Sequence, residues 1–229
     1  MTTIAENLQA VRRRIAQAAA AAGREADSVC LVAVSKTWPQ QRIREAHQAG
    51  HSAFGENQEQ EATQKIAQLS DLPLEWHFIG PIQSNKTRAI AEHFSWVHSV
   101  DRLKIAERFS AQRPGALPPL KVLIQVNVSS EPGKSGVEPA AALSLAQRIR
   151  ELPQIELRGL MAIPRQTEDP AQQRSQFRVV RELLHQLTRS GVPLDTLSMG
   201  MSGDLEMAVA EGATMVRIGS AIFGARDKA

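Results

Sequence analysis

The chain has 229 residues, 42% of them hydrophobic, so it is long enough to bury a full core, and its formal net charge is only +3. The 27 basic residues are scattered apart from the run Arg12-Arg13-Arg14, which argues against a nucleic-acid-binding surface. We expect a cytoplasmic protein, because no segment has the apolar length of a membrane span and the amphipathic N-terminus does not resemble a secretory signal.

The first predicted element is a helix over residues 3–22, and Gly23 is a suitable residue to end it. Its apolar residues recur at helical spacing: Ile4, Leu8, Val11, Ile15 and Ala18. Beyond this helix, short apolar runs alternate with segments of helical period. The apolar runs cover 29–35, 52–55, 75–79, 96–100, 121–128, 155–163, 194–199 and 214–218. The helical segments cover about 40–49, 57–69, 84–94, 102–111, 139–151, 171–190 and 203–211.

This alternation predicts parallel strands joined by crossover helices. Several runs are continuously apolar, such as 121–128, as expected for strands that are covered on both faces. Eight such units predict an α/β fold, a (β/α)8 TIM barrel with an extra N-terminal helix, as a single domain over 1–229. A doubly wound open sheet is the alternative, although no glycine-rich dinucleotide fingerprint follows any strand. The proline-rich stretch 113–119 is predicted to be a loop.

Lys36 follows directly on the first apolar run and is a candidate reactive amine. Active sites of such barrels form at the C-terminal ends of the strands. Because side chains alternate along a strand, Lys36 shares a face with Val34 and Val32, and points into the barrel mouth if that face lines it. Desolvation there would favour the neutral amine, which forms Schiff bases with aldehydes and ketones. The alternative is a solvated lysine just beyond a strand.

The loops after the last two strands are candidates for a phosphate site. They cover 198–204 and 219–221 and are rich in glycine and serine. Glycine lets the backbone approach an anion closely, serine hydroxyls donate hydrogen bonds, and a helix beginning near Gly203 would present its positive end. Barrels often bind phosphate at these two loops. Ordinary turns, which glycine and serine also favour, remain the alternative.

Together, a Schiff-base lysine and a phosphate site fit pyridoxal 5′-phosphate (PLP). Arg217 lies on the eighth strand, two residues before Gly219, and would face the same pocket. An arginine beside the pyridine nitrogen would keep that nitrogen unprotonated and weaken the ring as an electron sink. The alternative for Arg217 is a structural salt bridge to Asp204 or Glu206.

Other candidate motifs give weaker evidence of a function. The Gly-Lys-Ser at 133–135 lacks the glycine five residues earlier that a P-loop requires, since Val128 stands there, although Lys134 is a candidate cation near the mouth. His77 is either a ligand contact or a satisfied core histidine. The six histidines show no metal-binding spacing, and Cys30, the one cysteine, is expected to be a buried thiol.

Seven stretches, in order along nearly the whole chain, closely resemble the pyridoxal phosphate homeostasis protein family. They are VAVSKTWP (32–39), FGENQEQE (54–61), WHFIGPIQSNK (76–86), QVNVSSEPGKSG (125–136), LRGLMAIP (157–164), LSMGMSGDLEMAV (197–209) and VRIGSAIFG (216–224). The resemblance implies a fold-type III PLP-binding barrel that is similar to the N-terminal domain of alanine racemases.

The resemblance also implies roles for individual residues. Lys36 would carry PLP covalently as a Schiff base, with Arg217 near the pyridine nitrogen. The remaining contacts would come from residues that hold the phosphate (Ser202, Gly219 and Ser220) or line the ring site (Asn57, His77 and Met201). Position 220 is often threonine in the family, and the serine here keeps the hydroxyl.

The family is described as carrying and buffering PLP rather than as catalysing a dedicated reaction, so the resemblance implies a homeostasis protein. A low-activity PLP-dependent amino-acid racemase or lyase is the alternative. A racemase that uses an opposed tyrosine is not expected, because the chain has no tyrosine and ends directly after the eighth strand. We therefore expect a monomer that binds PLP, with apo PLP-dependent enzymes as possible recipients and no metal, nucleic acid or membrane partner.

Overall fold

The computed structural model of the chain describes residues 2–128, 135–165 and 167–225. In this part of the chain, eight parallel strands form a closed barrel. The strands are β1 Cys30–Val34, β2 Ala53–Glu56, β3 Glu75–Phe78, β4 Trp96–Val100, β5 Leu120–Val126, β6 Ile155–Ala162, β7 Thr196–Ser198 and β8 Met215–Ile218. The predicted (β/α)8 barrel is confirmed, and the open sheet is excluded.

The barrel closes where the last strand pairs with the first. Each strand pairs in parallel with the next strand of the chain, and Ala33 of β1 has Phe54 of β2 on one side and Ile218 of β8 on the other. The carboxyl ends of all eight strands therefore lie on one face of the barrel, where a site built from several strand ends can form.

Helices surround the barrel at nearly the predicted positions. They are α1 Ile4–Ala21, α2 Gln40–Gln48, α3 Glu59–Gln68, α4 Thr87–His93, α5 Leu103–Gln112, α6 Ala142–Arg150, α7 Pro170–Arg189, α8 Leu205–Ala210 and α9 Ser220–Phe223. Short 3₁₀ turns cover Ala26–Ser28, Ser84–Lys86 and Pro139–Ala141. The stretch 113–119 is a loop, as predicted.

The N-terminal helix α1 covers the side of the barrel where the first strand, β1, pairs with the last strand, β8. A capping box starts it, in which the Thr3 hydroxyl accepts from the Glu6 backbone and the Glu6 carboxylate accepts from the Thr3 backbone. Its buried face packs against α8, α9 and α2. The helix therefore supports the segments that follow β7 and β8, where the sequence predicts a phosphate site.

Two sets of buried side chains fill the molecule. The larger lies between the sheet and the surrounding helices, and a smaller cluster around Trp96, Leu123, Met161 and Met215 packs apart from it. Each residue of the smaller cluster comes from a different strand (β4, β5, β6 or β8) and points into the barrel, as expected for the barrel interior. A protein barrel of this size is a packed core rather than a pore, so a ligand must bind at its mouth.

Candidate functional site

Residues from the ends of several strands line one cavity of about 1040 Å³ at the mouth of the barrel. Seven of the eight predicted site residues are there: Lys36, Asn57, Met201, Ser202, Arg217, Gly219 and Ser220. Other lining residues are Val34, Ile79, Gly80, Pro81, Ile163, Thr167, Glu168, Gln173, Gly203 and Asp204. The cavity is large enough for a ligand of cofactor size.

Lys36 projects from the turn that follows β1. Val34, two residues earlier, lines the same cavity, so the predicted shared face of Val34 and Lys36 is correct. Lys36 itself is half-buried. The side chain therefore belongs to the cavity wall.

The two predicted phosphate loops meet in space. The Ser220 hydroxyl donates to the Ser202 hydroxyl over 3.2 Å, and the backbone N–H of Ala221 lies 3.4 Å from the same Ser202 oxygen. Gly203 has open space where a side chain would begin, so a bound group can approach the backbone there. Hydroxyl donors beside an open backbone suit an anion.

Arg14 of α1 anchors the loop after β7. Its guanidinium donates to the Ser202 carbonyl over 3.1 Å and to both carboxylate oxygens of Glu206 over 2.7 and 3.0 Å. A paired guanidinium of this kind fixes geometry better than a single hydrogen bond. The position of Ser202 is therefore set by a helix more than 180 residues earlier in the chain.

Arg217 is buried, and the backbone holds its guanidinium. One terminal nitrogen donates to the Ser198 carbonyl over 2.7 Å and to the Ser198 hydroxyl over 2.6 Å, and the other donates to the Ala162 carbonyl over 2.9 Å. Burial lowers the pKa of Arg217 to about 10, which nearby Asp204 opposes, so the guanidinium stays charged at neutral pH. Glu206 pairs with Arg14, so the suggested Arg217–Glu206 salt bridge is wrong.

The Asp204 carboxylate stabilises the loop that follows β7. Its carboxylate accepts from the backbone N–H of Met201, and the side-chain amide of Gln173 lies 3.5 Å from its other oxygen. Burial raises the pKa of Asp204 above its ordinary value. Asp204 thus adds a carboxyl group to the cavity wall beside the cationic Arg217.

His77 does not line the cavity. It is fully buried inside the barrel, and its ring stacks on Trp96 with 5.7 Å between the ring centres. Ile79, two residues further along the same inner face, reaches the cavity instead. The expected ring contact of His77 is thus not found, and the alternative of a satisfied core histidine describes it.

Hydrogen bonds link His77 to Arg217 through the barrel interior. His77 Nε2 lies 3.0 Å from a Glu75 carboxylate oxygen, and His77 Nδ1 lies 3.0 Å from His98 Nε2. His98 Nδ1 in turn lies 2.8 Å from the Ser198 hydroxyl that accepts from Arg217. Sequence reasoning did not identify His98 or Glu75, although a histidine inside an apolar strand run is a detectable signal.

One arrangement of protons satisfies every group in this chain. With both imidazoles neutral, the donors run in one direction, from Arg217 to Ser198, His98, His77 and Glu75, because arginine only donates and a carboxylate only accepts. Each ring then carries its proton on Nε2. Desolvation lowers the pKa of His77 and His98 below the ordinary value for histidine, which agrees with neutral rings.

Two further sequence expectations concern Cys30 and Lys134. Burial raises the pKa of the half-buried Cys30 thiol to about 11, so it is protonated at neutral pH and is a poor nucleophile. Lys134 lies outside the described residues. Within those residues, no group of three or more His, Cys, Asp or Glu side chains is arranged to hold a metal ion, and no helix is long and apolar enough to cross a membrane.

Known proteins resemble this chain over nearly its whole length. Residues 6–227 match the family model of the alanine racemase N-terminal domain. The pyridoxal phosphate homeostasis protein of Pseudomonas aeruginosa is 62% identical over 99% of this chain and 97% of its own length. The protein of that name from Escherichia coli K12 is 51% identical over 99% of this chain and 98% of its own.

This chain belongs to the pyridoxal phosphate homeostasis protein family. The resemblance stated from the sequence motifs is thereby confirmed. Members of this family match essentially the full length of the chain.

Solved structures show the same architecture. PipY of Synechococcus elongatus PCC7942, solved with PLP bound, is 40% identical and superimposes with a TM-score of 0.86 over 97% of this chain and all of its own. Alanine racemase of Corynebacterium glutamicum is 19% identical, with a TM-score of 0.73 over 97% of this chain and 61% of its own. The second likeness shows a common fold alone, and this chain matches only part of that longer protein.

Proposed function

We propose that this protein binds PLP, carries it as a Schiff base on Lys36 and takes part in intracellular PLP homeostasis. One observation carries the proposal. A single cavity brings together an amine, a buried guanidinium and paired serine hydroxyls from β1, β8 and the loops after β7 and β8. PLP carries an aldehyde, a pyridine nitrogen and a phosphate, and this set of groups can address all three.

The chemistry of the donors fits the cofactor. The hydroxyls of Ser202 and Ser220 and the backbone at Gly219 would hold the phosphate, since they offer hydrogen-bond donors in the cavity wall. The Lys36 amine would condense with the aldehyde and release one water molecule. Bound PLP supplies an electron sink for amino-acid chemistry, which a neighbouring guanidinium weakens.

Arg217 would face the pyridine nitrogen. Its charge is retained at neutral pH, so it cannot give a proton to the ring, and the nitrogen would remain unprotonated. The series of hydrogen bonds from Arg217 to Glu75 would hold the guanidinium at a fixed depth in the barrel. Asn57 and Met201 would line the ring on either side, as expected from the resemblance, whereas His77 would act only through this chain.

We further propose that the protein has no dedicated catalytic activity. A weakened electron sink suits a carrier more than an enzyme, and none of the 229 residues is a tyrosine that could serve as an opposed base. The carrier would act in the cytoplasm as a monomeric single domain over residues 1–229, and apo PLP-dependent enzymes would receive the cofactor. A low-activity racemase or lyase is the competing function, and turnover of a panel of amino acids by the loaded protein would reveal it.

Trapping the bound aldehyde tests the proposal. The protein is incubated with PLP, reduced with borohydride, and its intact and peptide masses are measured beside a Lys36→Ala variant. The proposal predicts one reduced adduct, located on Lys36 and lost in the variant. Labelling that is absent, or that is spread over surface lysines and equal in the variant, would refute it.

A further inference from the structure

A buried ionic cluster next to Lys36 has no part in the function described so far. It consists of Glu56 at the end of β2 and of Glu61 and Lys65 on α3, and is called the Lys65 cluster below. The Lys65 ammonium donates to Glu56 over 2.8 Å and to Glu61 over 2.6 Å. Lys65 is 7% exposed and Glu56 is fully buried, which is rare for charged residues unless they are paired.

The cluster contacts the residues on both sides of Lys36. The Ser35 hydroxyl donates to Glu56 over 2.7 Å, and the Ser35 carbonyl accepts from Lys65 over 2.9 Å. On the other side, the backbone N–H of Thr37 donates to Glu61 over 2.7 Å. The backbone on either side of Lys36 is therefore tied, at Ser35 and at Thr37, to the Lys65 cluster.

The turn that holds Lys36 needs such support. The Trp38 N–H donates to the Ser35 carbonyl over 3.0 Å and closes a four-residue turn. Thr37, its third residue, has a φ of +69°, a position where turns usually place glycine. A β-branched residue is strained there and persists only where its surroundings hold it.

We propose that the Lys65 cluster is a positioning group that holds the turn 35–38 so that the Lys36 amine faces the cavity. The inference rests on the proposed function, since it assigns the cluster a role in Schiff-base formation. A fixed turn lowers the entropy lost when the amine meets an aldehyde. None of the three cluster residues lines the cavity, so they act on Lys36 through its backbone.

Glu61→Ala is the most selective perturbation. It removes the acceptor of the Thr37 N–H but leaves the buried Lys65–Glu56 pair intact, and Glu61 is only partly buried, so the protein should still fold. We expect faster hydrogen exchange at the Thr37 amide in the apo protein. We also expect formation of the borohydride-trapped Lys36 adduct to slow by about tenfold, as for one lost hydrogen bond to a charged group.

Thr37→Gly tests whether strain at the turn is the reason. Glycine adopts positive φ without a steric cost, so this substitution should restore much of the adduct rate in the Glu61→Ala background and change little in the wild type. Glu92→Ala is the matched control, because Glu92 is a helical carboxylate that pairs with Arg88 on the same helix and is not among the residues that line the cavity. It should leave both measurements unchanged.

The possible results distinguish a failure of the positioning role from a failure of the proposed PLP-binding function. A wild-type adduct on Lys36 with an unchanged rate and unchanged Thr37 exchange in Glu61→Ala would overturn the positioning role alone. Glu61→Ala could instead slow adduct formation without relief by Thr37→Gly, and lower the free energy of unfolding in urea by as much as it raises the activation free energy. That result would make the cluster a general support of the fold and would also overturn the positioning role. A wild type without any Lys36 adduct would overturn the proposed function and this role with it.

Discussion

The Ser198 hydroxyl joins the cavity to the histidines inside the barrel, so its removal should have consequences larger than one hydrogen bond. It accepts from Arg217 over 2.6 Å and lies 2.8 Å from His98 Nδ1, to which it donates. Ser198→Ala takes away both contacts at once. The guanidinium keeps its bonds to two backbone carbonyls, but His98 Nδ1 loses its donor in a place that water does not reach.

The expected cost follows from these contacts. A buried polar group that loses its partner costs about 1–3 kcal/mol. The unpaired His98 nitrogen takes this cost in full, and Arg217 takes the lower end of the range because its carbonyl acceptors remain. The free energy of unfolding should therefore fall by about 2–4 kcal/mol. Serine and alanine differ little in volume, so packing adds little.

Urea denaturation of the apo protein measures this loss. Ser175→Ala is the control, since Ser175 is exposed on α7 and its hydroxyl contacts only a helix carbonyl; it should change stability by no more than about 0.5 kcal/mol. Nitrogen-15 shifts of the His98 and His77 rings should show neutral, Nε2-protonated imidazoles in the wild type. A loss in Ser198→Ala no larger than in the control, or a charged His98 at pH 6, would refute the hydrogen-bond chain.

Three further predictions concern pH, packing and the anion site. Burial lowers the pKa of His51 to about 4, whereas the same histidine in the unfolded chain has a pKa of about 6.5. The unfolded state therefore binds more protons as the pH falls below about 6.5. The free energy of unfolding in urea should fall by up to about 3 kcal/mol between pH 7 and pH 4. Gly80→Ala should destabilise the protein by about 3 kcal/mol in the same assay, because a Cβ there would lie 2.1 Å from the Asn57 carbonyl oxygen. Joint Ser202→Ala and Ser220→Ala substitution should weaken PLP binding by about tenfold or more, measured by equilibrium dialysis, and leave binding of pyridoxal, which has no phosphate, unchanged.

Each of these has its own control or contrary result. His51→Gln should flatten part of the pH dependence, and an equally steep profile in that variant would assign it to other groups. Gly115→Ala is the control for Gly80, since a Cβ at 115 meets no atom within 4 Å. Equal weakening of PLP and pyridoxal by the serine substitutions would show that the hydroxyls do not recognise the phosphate.

Most of the strands were readable from the sequence because each is a short run with both faces buried, although β6 has the exposed Glu156 in its second position. The run 121–128 became β5 over Leu120–Val126, and the helical periods around it gave α5 and α6 within a few residues at most ends. The four-residue α9 was not predicted. A single turn is too short to show a period, so Ser220 looked like part of a loop.

Alternation along a strand gives the face of a side chain but not its depth in the barrel. This explains why Lys36 was placed correctly and His77 was not. Both point inward, but Lys36 lies two residues beyond the end of β1, whereas His77 lies inside β3, one layer below Ile79. Arg217 is also within its strand, and only its length lets it reach the cavity.

The supporting residues could not be found from local patterns. Lys65 has the spacing of an ordinary helical residue, and nothing near it in the sequence indicates that it contacts Ser35, thirty residues earlier. The same holds for His98 and Ser198, which lie 100 residues apart and meet only because the barrel closes. Such pairs are properties of the fold, so they appear only when the strands are placed in space.

A crystal structure of the protein grown with PLP tests the central claim most directly. We expect continuous electron density from the Lys36 nitrogen to the cofactor, the phosphate between Ser202 and Ser220, and the Arg217 guanidinium beside the pyridine nitrogen. Density for PLP that is separate from Lys36, a phosphate bound elsewhere, or an empty cavity at saturating PLP would contradict it.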